Sequence, residues 1–495
     1  MSAHDAGRRR PPNLLLLMTD QQRADTITPG GPCLTPHLQA LAAQGSRFAR
    51  CYATNPICSP SRASLYTGLL PSTHGMTDVT HAVGPTQAEL APGLPFWSRT
   101  LHDAGYRTAH FGKWHVERSD ELERFGFDEY EVDLRLTGVQ TSELPLSPRV
   151  EVRQDGYRTF LLAGVSEERA GDSREAQLFD RGIAFLEAAA HERERPWALV
   201  VSTEAPHDPF LVPRELYDRY DPGSLEQPVS ADDEMHDKPA IYRRIRRTWE
   251  ALGATERAQA TACYYAACSG IDDQVGRILA ALRESGQEDD TLVVFTSDHG
   301  DYLGAHGLWL KGVAAFEEAY RVPLVLRGPG IPSGLRVDAP VSLLDLPRTL
   351  VRLLLGSDFG GHGCDLAPWL EGRQGAGEAY AEFHGQRFRY TQRVLWQGAL
   401  KYVFNGFDED ELYDLEADPA ECRNLAREPE ARPLLRALAA RMWARARECG
   451  DRTFTEAQYG MFRFAPVGPE AAARAASAGG DARRHGATGC EEEAR

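Results

Sequence analysis

Short apolar runs that stop abruptly at polar residues recur along the chain. Leu14 to Met18 is the first, and it ends at Thr19, Asp20 and Gln21. Tyr106 to Phe111, Trp197 to Ser202, Thr291 to Thr296 and Val322 to Arg327 also read as strands. Runs of this length without polar alternation predict strands buried on both faces. Between them the spacing becomes helical. Thr35 to Gln44 reads as a helix, and so does Ser59 to Gly68, with Ser59 as N-cap and Pro60 at its first position. Leu101 to Gly105 closes another. Glu250 to Gly286 carries Tyr264, Ile271, Val275, Ile278 and Leu282 near one stripe.

Strands alternating with helices predict an α/β fold with a large, mostly parallel sheet covered on both faces. Such sheets bind ligands beyond the carboxyl ends of their strands. Asp20, His115, His207 and Asp298 each follow a strand-like run and are therefore expected at one edge. After about residue 370 the texture changes. Glu378 to His384, Thr391 to Trp396 and Ala399 to Asn405 predict a smaller antiparallel sheet, and Pro429 to Glu448 a helix. The expected organisation is a flexible start (1–12), a catalytic domain (13–370), a C-terminal α+β subdomain (371–463) and a disordered tail (464–495) rich in Ala, Gly, Arg and Glu.

Composition narrows the field. Of 495 residues, 42% are hydrophobic and 26% charged, an ordinary globular balance. A net charge of −17 argues against nucleic acid as the main partner. It still allows a local cationic pocket for a small anion. The apolar run after Arg8, Arg9 and Arg10 is shorter than the roughly 7–15 residues of a secretory signal core. No window approaches the roughly 20 apolar residues of a membrane span. The expectation is a cytoplasmic protein with no membrane partner. Nine cysteines with no C-x-x-C pair predict neither a disulfide framework nor a structural zinc site.

The chemistry gathers in a few segments. Cys58-Ser59-Pro60-Ser61-Arg62 sits at a predicted helix N-terminus, where the dipole favours anions. Arg62, one turn in, offers a fixed charge in a fork that suits an oxyanion. Gly112-Lys113-Trp114-His115 and Pro206-His207-Asp208-Pro209-Phe210 follow strands, and Lys311 follows the segment Gly304 to Leu310. Asp20-Gln21 and Asp298-His299 are two polar pairs, each at the end of an apolar run. Singly, each has an ordinary reading: a buried structural cysteine, a salt-bridged arginine, solvated lysines, capping aspartates, turn histidines. What sets them apart is their joint order.

In that order they resemble the sulfatase family. Cys58-x-Pro60-Ser61-Arg62 followed by Leu65, Thr67 and Gly68 resembles its signature, and the G-K-W-H and P-H-x-P-F segments resemble its other blocks. The resemblance runs from about residue 13 to 450, where Lys401-Tyr402, Glu411 to Leu415, Asp418-Pro419 and Asn424-Leu425 are similar to the family's closing segment. It implies an alkaline-phosphatase-like α/β/α sandwich with a smaller C-terminal α+β subdomain. It also implies that a generating enzyme, acting on the unfolded chain, oxidises Cys58 to formylglycine. The hydrated aldehyde would attack a small-molecule sulfate ester and release the alcohol. By the same resemblance Arg62 stabilises the alkoxide, Lys113 contacts nucleophile and sulfate, and His115 takes a proton from the hydrate so that sulfate leaves. His207 binds the ester and Lys311 closes the pocket, either one protonating the departing oxygen.

The implied metal is one divalent cation on Asp20, Gln21, Asp298, His299 and the modified Cys58. Ca²⁺ is the first expectation, with Mn²⁺ or Mg²⁺ as alternatives. Gln21 stands where a second Asp is common in the family, and His299 where Asn is common; both departures move the balance toward Mn²⁺. Both also occur in related phosphonate monoester hydrolases, so a phosphonate or phosphodiester hydrolase is the alternative, with the G-K-W-H segment against it. A third reading is a non-catalytic metal-binding relative. His74 and His306 are expected beside the site, Asp78 and His81 near the pocket, and Arg243, Arg244, Arg246 and Arg247 in a solvated segment. A homo-oligomer stays open, as does the ester: aryl, choline, lipid or sugar.

Overall fold

In a computed structural model of the chain, residues 10–80, 90–119, 121–132, 145–156, 158–373, 375–406, 408–451 and 465–469 are described. His81, residues 1–9 and all of the expected tail except 465–469 lie outside them. Eight strands form the main sheet: β1 (Asn13–Thr19), β2 (Ser46–Phe48), β3 (Arg107–Gly112), β4 (Glu129–Val132), β5 (Trp197–Ser202), β6 (Thr291–Ser297), β7 (Leu324–Arg327) and β8 (Leu335–Val337). Their order is β8-β2-β7-β6-β1-β5-β3-β4. Pairing is parallel from β6 through β1, β5 and β3 to β4. β7 is antiparallel to both of its neighbours, while β2 and β8 pair in parallel. One strand therefore opposes the other seven.

The helices that flank this sheet include α1 (Pro36–Gln44), α2 (Cys58–Thr67), α3 (Trp97–Asp103), α4 (Arg174–Ala189), α5 (Ala254–Glu284) and α6 (Leu346–Leu355). Alternation along β1 decides which face each side chain takes. Leu14, Leu16 and Met18 pack with Tyr66 of α2, Trp97 of α3 and Leu350 of α6. Leu15 and Leu17 pack with Leu38 of α1, Phe185 of α4 and Ile278 of α5. The result is the expected α/β/α sandwich.

A smaller antiparallel sheet follows: β9 (Glu378–Phe383), β10 (Gln392–Gln397), β11 (Leu400–Asn405) and β12 (Glu411–Asp414), in sequence order. Helix α7 (Arg432–Glu448) covers one face, with Leu438, Met442 and Trp443 against Tyr380, Leu395 and Tyr402. The alternate residues Ala379, Ala381, Phe383 and Val394 face the core of the larger domain.

Register places the site. Thr19 lies beside Ser297, Met18 beside Ser202, and Ser202 beside Gly112. Four strands thus finish level, and Asp20, Lys113, Thr203 and Asp298 emerge at one edge. Gly112 makes the turn there with φ +98°, and a Cβ would sit 2.1 Å from the Ser202 carbonyl oxygen.

Three boundaries differ from expectation. The helix predicted at Ser59 begins at Cys58, with Ile57 as N-cap. Asn55 causes this: its side-chain oxygen accepts from the Ile57 N–H at 2.9 Å and turns the chain two residues early. Ser59 is no cap; its hydroxyl accepts from the Thr80 N–H at 3.3 Å. Val322 to Arg327 is not one strand. Pro323 cannot donate to a ladder, so Arg321–Val322 pairs with Cys51–Tyr52 in a separate sheet and Leu324–Arg327 joins the main one. The helix expected from Glu250 starts at Ala254, where Glu256 accepts from the Gly253 N–H at 2.6 Å.

Gly112→Ala tests the level strand ends. The clash and the positive φ are expected to cost about 2 kcal/mol or more of unfolding free energy, measured by urea titration. A change below about 0.5 kcal/mol would mean the turn relaxes freely.

Candidate active site

Cys58 opens α2 and is 1% exposed. Its Sγ lies 3.6 Å from Asp20 Oδ1 and 3.2 Å from His299 Nε2. One ligand atom each from Asp20, Cys58, Asp298 and His299 falls within 4.8 Å of the others. His299 Nδ1 sits 2.9 Å from the Gly300 carbonyl oxygen, which can only accept, so Nδ1 carries the hydrogen. Nε2 therefore turns a lone pair toward Cys58 and Asp20. Burial holds this imidazole below its ordinary pKa, which keeps it neutral. Two carboxylates, a neutral imidazole and residue 58 converging on one buried point are a donor set that fits a divalent cation.

Arg62 is fully buried beneath them. Its Nε donates to Asp298 Oδ2 at 2.6 Å and its Nη2 to Asp20 Oδ2 at 3.1 Å. Its Nη1 donates to the Lys113 carbonyl at 2.9 Å and to Ser202 Oγ at 2.8 Å. The guanidinium thus holds the two carboxylates in place, where the resemblance implied a group aimed at the alkoxide. Ser61 adds a bond from its hydroxyl to the Asp298 carbonyl at 2.6 Å.

Lys113 Nζ meets Asp20 Oδ2 at 2.8 Å. Burial alone would raise the Asp20 carboxyl, but the Lys113 and Arg62 cations beside it hold it well below the usual carboxylate range. Lys311 Nζ donates to His207 Nε2 at 2.5 Å and to Gln21 Oε1. His207 Nδ1 donates to the Asp208 carbonyl at 2.6 Å, so its Nε2 is the accepting nitrogen. His207 Nε2 also stands 3.9 Å from Asp20 Oδ1. Gln21 takes a left-handed backbone, φ 71°, and its N–H donates to Asp298 Oδ1 at 3.1 Å. His115 is buried two residues beyond Lys113, also left-handed at φ 50°.

Other expected neighbours divide. His74 Nε2 lies 3.0 Å from Ser64 Oγ, inside the packing of α2. His306 stacks on Phe316 and bonds Asp233 at 2.8 Å, within the loop that bears Lys311. Asp78 is spent on backbone, accepting from the Val79 and Arg387 N–H groups at 2.7 Å each. Arg243 and Arg246 are not simply solvated: both donate to carbonyls of the 231–238 segment, Arg243 to Met235 and Arg246 to Asp233 and Ala231. Sequence reasoning passed over Ser202, Asp208 and Asp301. Asp301 is fully buried, and burial pushes its carboxyl up to about 7. The signal was there, three residues past Asp298 in Asp298-His299-Gly300-Asp301.

With this geometry in view, the comparisons are specific. The Sulfatase family model matches residues 12–357. The choline-sulfatase of Rhizobium meliloti is 32% identical over 454 residues, covering 84% of this chain and 83% of its own. An arylsulfatase of Clostridium perfringens is 28% identical over 448 residues, covering 85% and 91%. Among solved structures, the phosphonate monoester hydrolase of Silicibacter pomeroyi superposes with a TM-score of 0.74 at 25% identity, over 90% of this chain and 97% of its own. The chain belongs to the sulfatase family and is a sulfatase-type hydrolase.

Proposed function

We propose that the chain hydrolyses a small-molecule sulfuric ester to sulfate and an alcohol, with residue 58 as nucleophile after oxidation to formylglycine. The observation that carries this is the approach of Cys58 Sγ to Asp20 and His299 at 3.6 and 3.2 Å inside the family signature. The sulfur stands in for the oxygens of the hydrated aldehyde, which supply the nucleophilic hydroxyl once the residue is modified. Cys58 is 1% exposed, so a generating enzyme has to reach it on the unfolded chain. A bound divalent cation supplies charge neutralisation and orients the ester oxygen. Asp20, Gln21, Asp298, His299 and residue 58 are its proposed ligands, Ca²⁺ first and Mn²⁺ or Mg²⁺ as alternatives. The catalytic unit is residues 13–370, with 371–463 as subdomain.

The chain's own groups divide the work by charge. Arg62 and Lys113 offset Asp20 and Asp298, two cations against two carboxylates. A divalent cation added to that balanced set makes the pocket positive, and Lys311 adds to it. An ester anion is drawn to such a pocket, whose dry walls strengthen the attraction. Lys113 holds the sulfate oxygens, and His207 lines the leaving-group side, where its Nε2 accepts from Lys311. Lys311, already donating to His207 Nε2, hands a proton to the leaving oxygen. His115 takes the proton from residue 58 that lets sulfate go.

A second reading is a phosphonate monoester or phosphodiester hydrolase. Gln21 and His299 favour it, as does the likeness to the Silicibacter pomeroyi enzyme.

Two outcomes follow. Given aryl sulfate, aryl phosphonate and alkyl sulfate esters, the protein made with a generating enzyme is expected to turn over sulfates with the higher kcat/KM, and Cys58→Ala to lose all turnover. A phosphonate preference would transfer the assignment to the second reading, and undiminished turnover in Cys58→Ala would remove the nucleophile. Arg62→Lys keeps a charge but cannot reach both carboxylates, Ser202 and the Lys113 carbonyl. A fall in kcat/KM on the order of 100-fold is expected, by the scale of losing one aligned donor. Near wild-type kinetics would show that the fork is dispensable.

A further inference from the structure

Asp301 touches neither the sulfur of Cys58 nor the proposed ligand oxygens, yet every bond it makes leads back to them. One carboxylate oxygen, Oδ2, accepts from Gln21 Nε2 at 2.5 Å. The other, Oδ1, accepts from the Leu303 N–H at 2.7 Å and the Leu310 N–H at 3.1 Å. Leu310 precedes Lys311 in the chain, and the loop between is pinned on itself by Tyr302 N–H to the Leu310 carbonyl and Gly304 N–H to the Leu308 carbonyl, both 2.8 Å. Gln21 is fully buried, and its Oε1 receives the Lys311 ammonium.

The chemistry of the two partners fixes which end of the Gln21 amide points where. A carboxylate accepting on both oxygens can only face an NH₂, and an ammonium can only face a carbonyl oxygen. With Asp301 on one side and Lys311 on the other, the amide has one orientation. Reversed, it would set oxygen against oxygen and N–H against N–H at two buried contacts. We propose that Asp301 is a positioning residue: by taking the Gln21 NH₂ it turns the amide oxygen, the atom proposed above as a metal ligand and the one that receives the Lys311 ammonium, toward the site, and it closes the loop that carries Lys311. The role rests on the hydrolase reading above for Lys311, and the pairing of Asp301 with Gln21 can be read without it.

Asp301→Asn keeps an oxygen for the Leu303 and Leu310 N–H groups but turns an NH₂ toward the NH₂ of Gln21. The amide must then flip, and an N–H meets the ammonium. Gln21→Glu sets two carboxylates against each other. Combining them restores the pattern in reverse: the new amide at position 301 donates to the new carboxylate at position 21, whose second oxygen accepts from Lys311. The expected result is sign reversal in a double-mutant cycle. Each single substitution lowers kcat/KM on the order of 10-fold or more and lowers the melting temperature, and the double variant recovers most of both. A role confined to closing the loop would not respond to a change at position 21.

The cycle is run on the metal-loaded protein made with a generating enzyme, using whichever of an aryl sulfate or aryl phosphonate ester the wild type hydrolyses. If Asp301→Asn does not fold, Gln21→Glu against the double variant suffices, because the second substitution is then expected to raise both activity and melting temperature. A double variant as poor as the two losses multiplied, or no better than Gln21→Glu alone, overturns the proposal. A wild type inactive on every ester would sink the hydrolase reading instead, while the melting temperatures still report whether Asp301 and Gln21 act as a pair.

Discussion

One guanidinium, wholly out of contact with solvent, donates to groups at the ends of four strands. Arg62 reaches Asp20 after β1, Asp298 after β6, Ser202 at the end of β5 and the carbonyl of Lys113 after β3. It stands one turn after Cys58 on the same helix face of α2. Residue 58 and the two carboxylates are therefore referenced to one rigid group. Burying a charge is unfavourable unless it is paired and its donors are satisfied. Arg62 meets both conditions only when all four strands finish level, so register and site geometry constrain each other.

Around that tie the remaining groups fall into two tiers. Asp20 is shared: one oxygen takes Arg62 and Lys113, and the other faces Cys58, His299 and His207. Beyond it, Lys311 is held by His207 and Gln21, and Gln21 by Asp301. The inner tier fixes charges that a cation and an ester would meet. The outer tier orients a cation on a flexible stem, which is where a lysine needs help.

Much of this was legible in the sequence. Apolar runs with polar ends marked five of the eight strands of the main sheet, and the rule that ligands gather at strand carboxyl ends predicted Asp20, His115, His207 and Asp298 at one edge, where Asp20 and Asp298 do meet. What was hidden was hidden for physical reasons. Ser59 and Pro60 look like a helix start, and only the bond from Asn55 to the Ile57 N–H moves it to Cys58. The run from Val322 to Arg327 looks continuous by hydrophobicity alone, although Pro323, with no N–H to donate, already marks the break. The four acceptors of Arg62 were hidden because a motif cannot say how many groups surround a side chain. Asp301 stood in view beside Asp298-His299, but its contacts with Gln21 and the Leu310 N–H depend on the folded loop, which spacing does not give.

The central claim is that residue 58, once oxidised, does the chemistry at this cluster. Protein made with graded amounts of a generating enzyme, its residue 58 peptide weighed by mass spectrometry, tests it most directly. The account predicts that turnover of the preferred ester rises in proportion to the fraction of aldehyde at position 58 and vanishes when that fraction is zero. Full turnover from protein carrying only the thiol would contradict it.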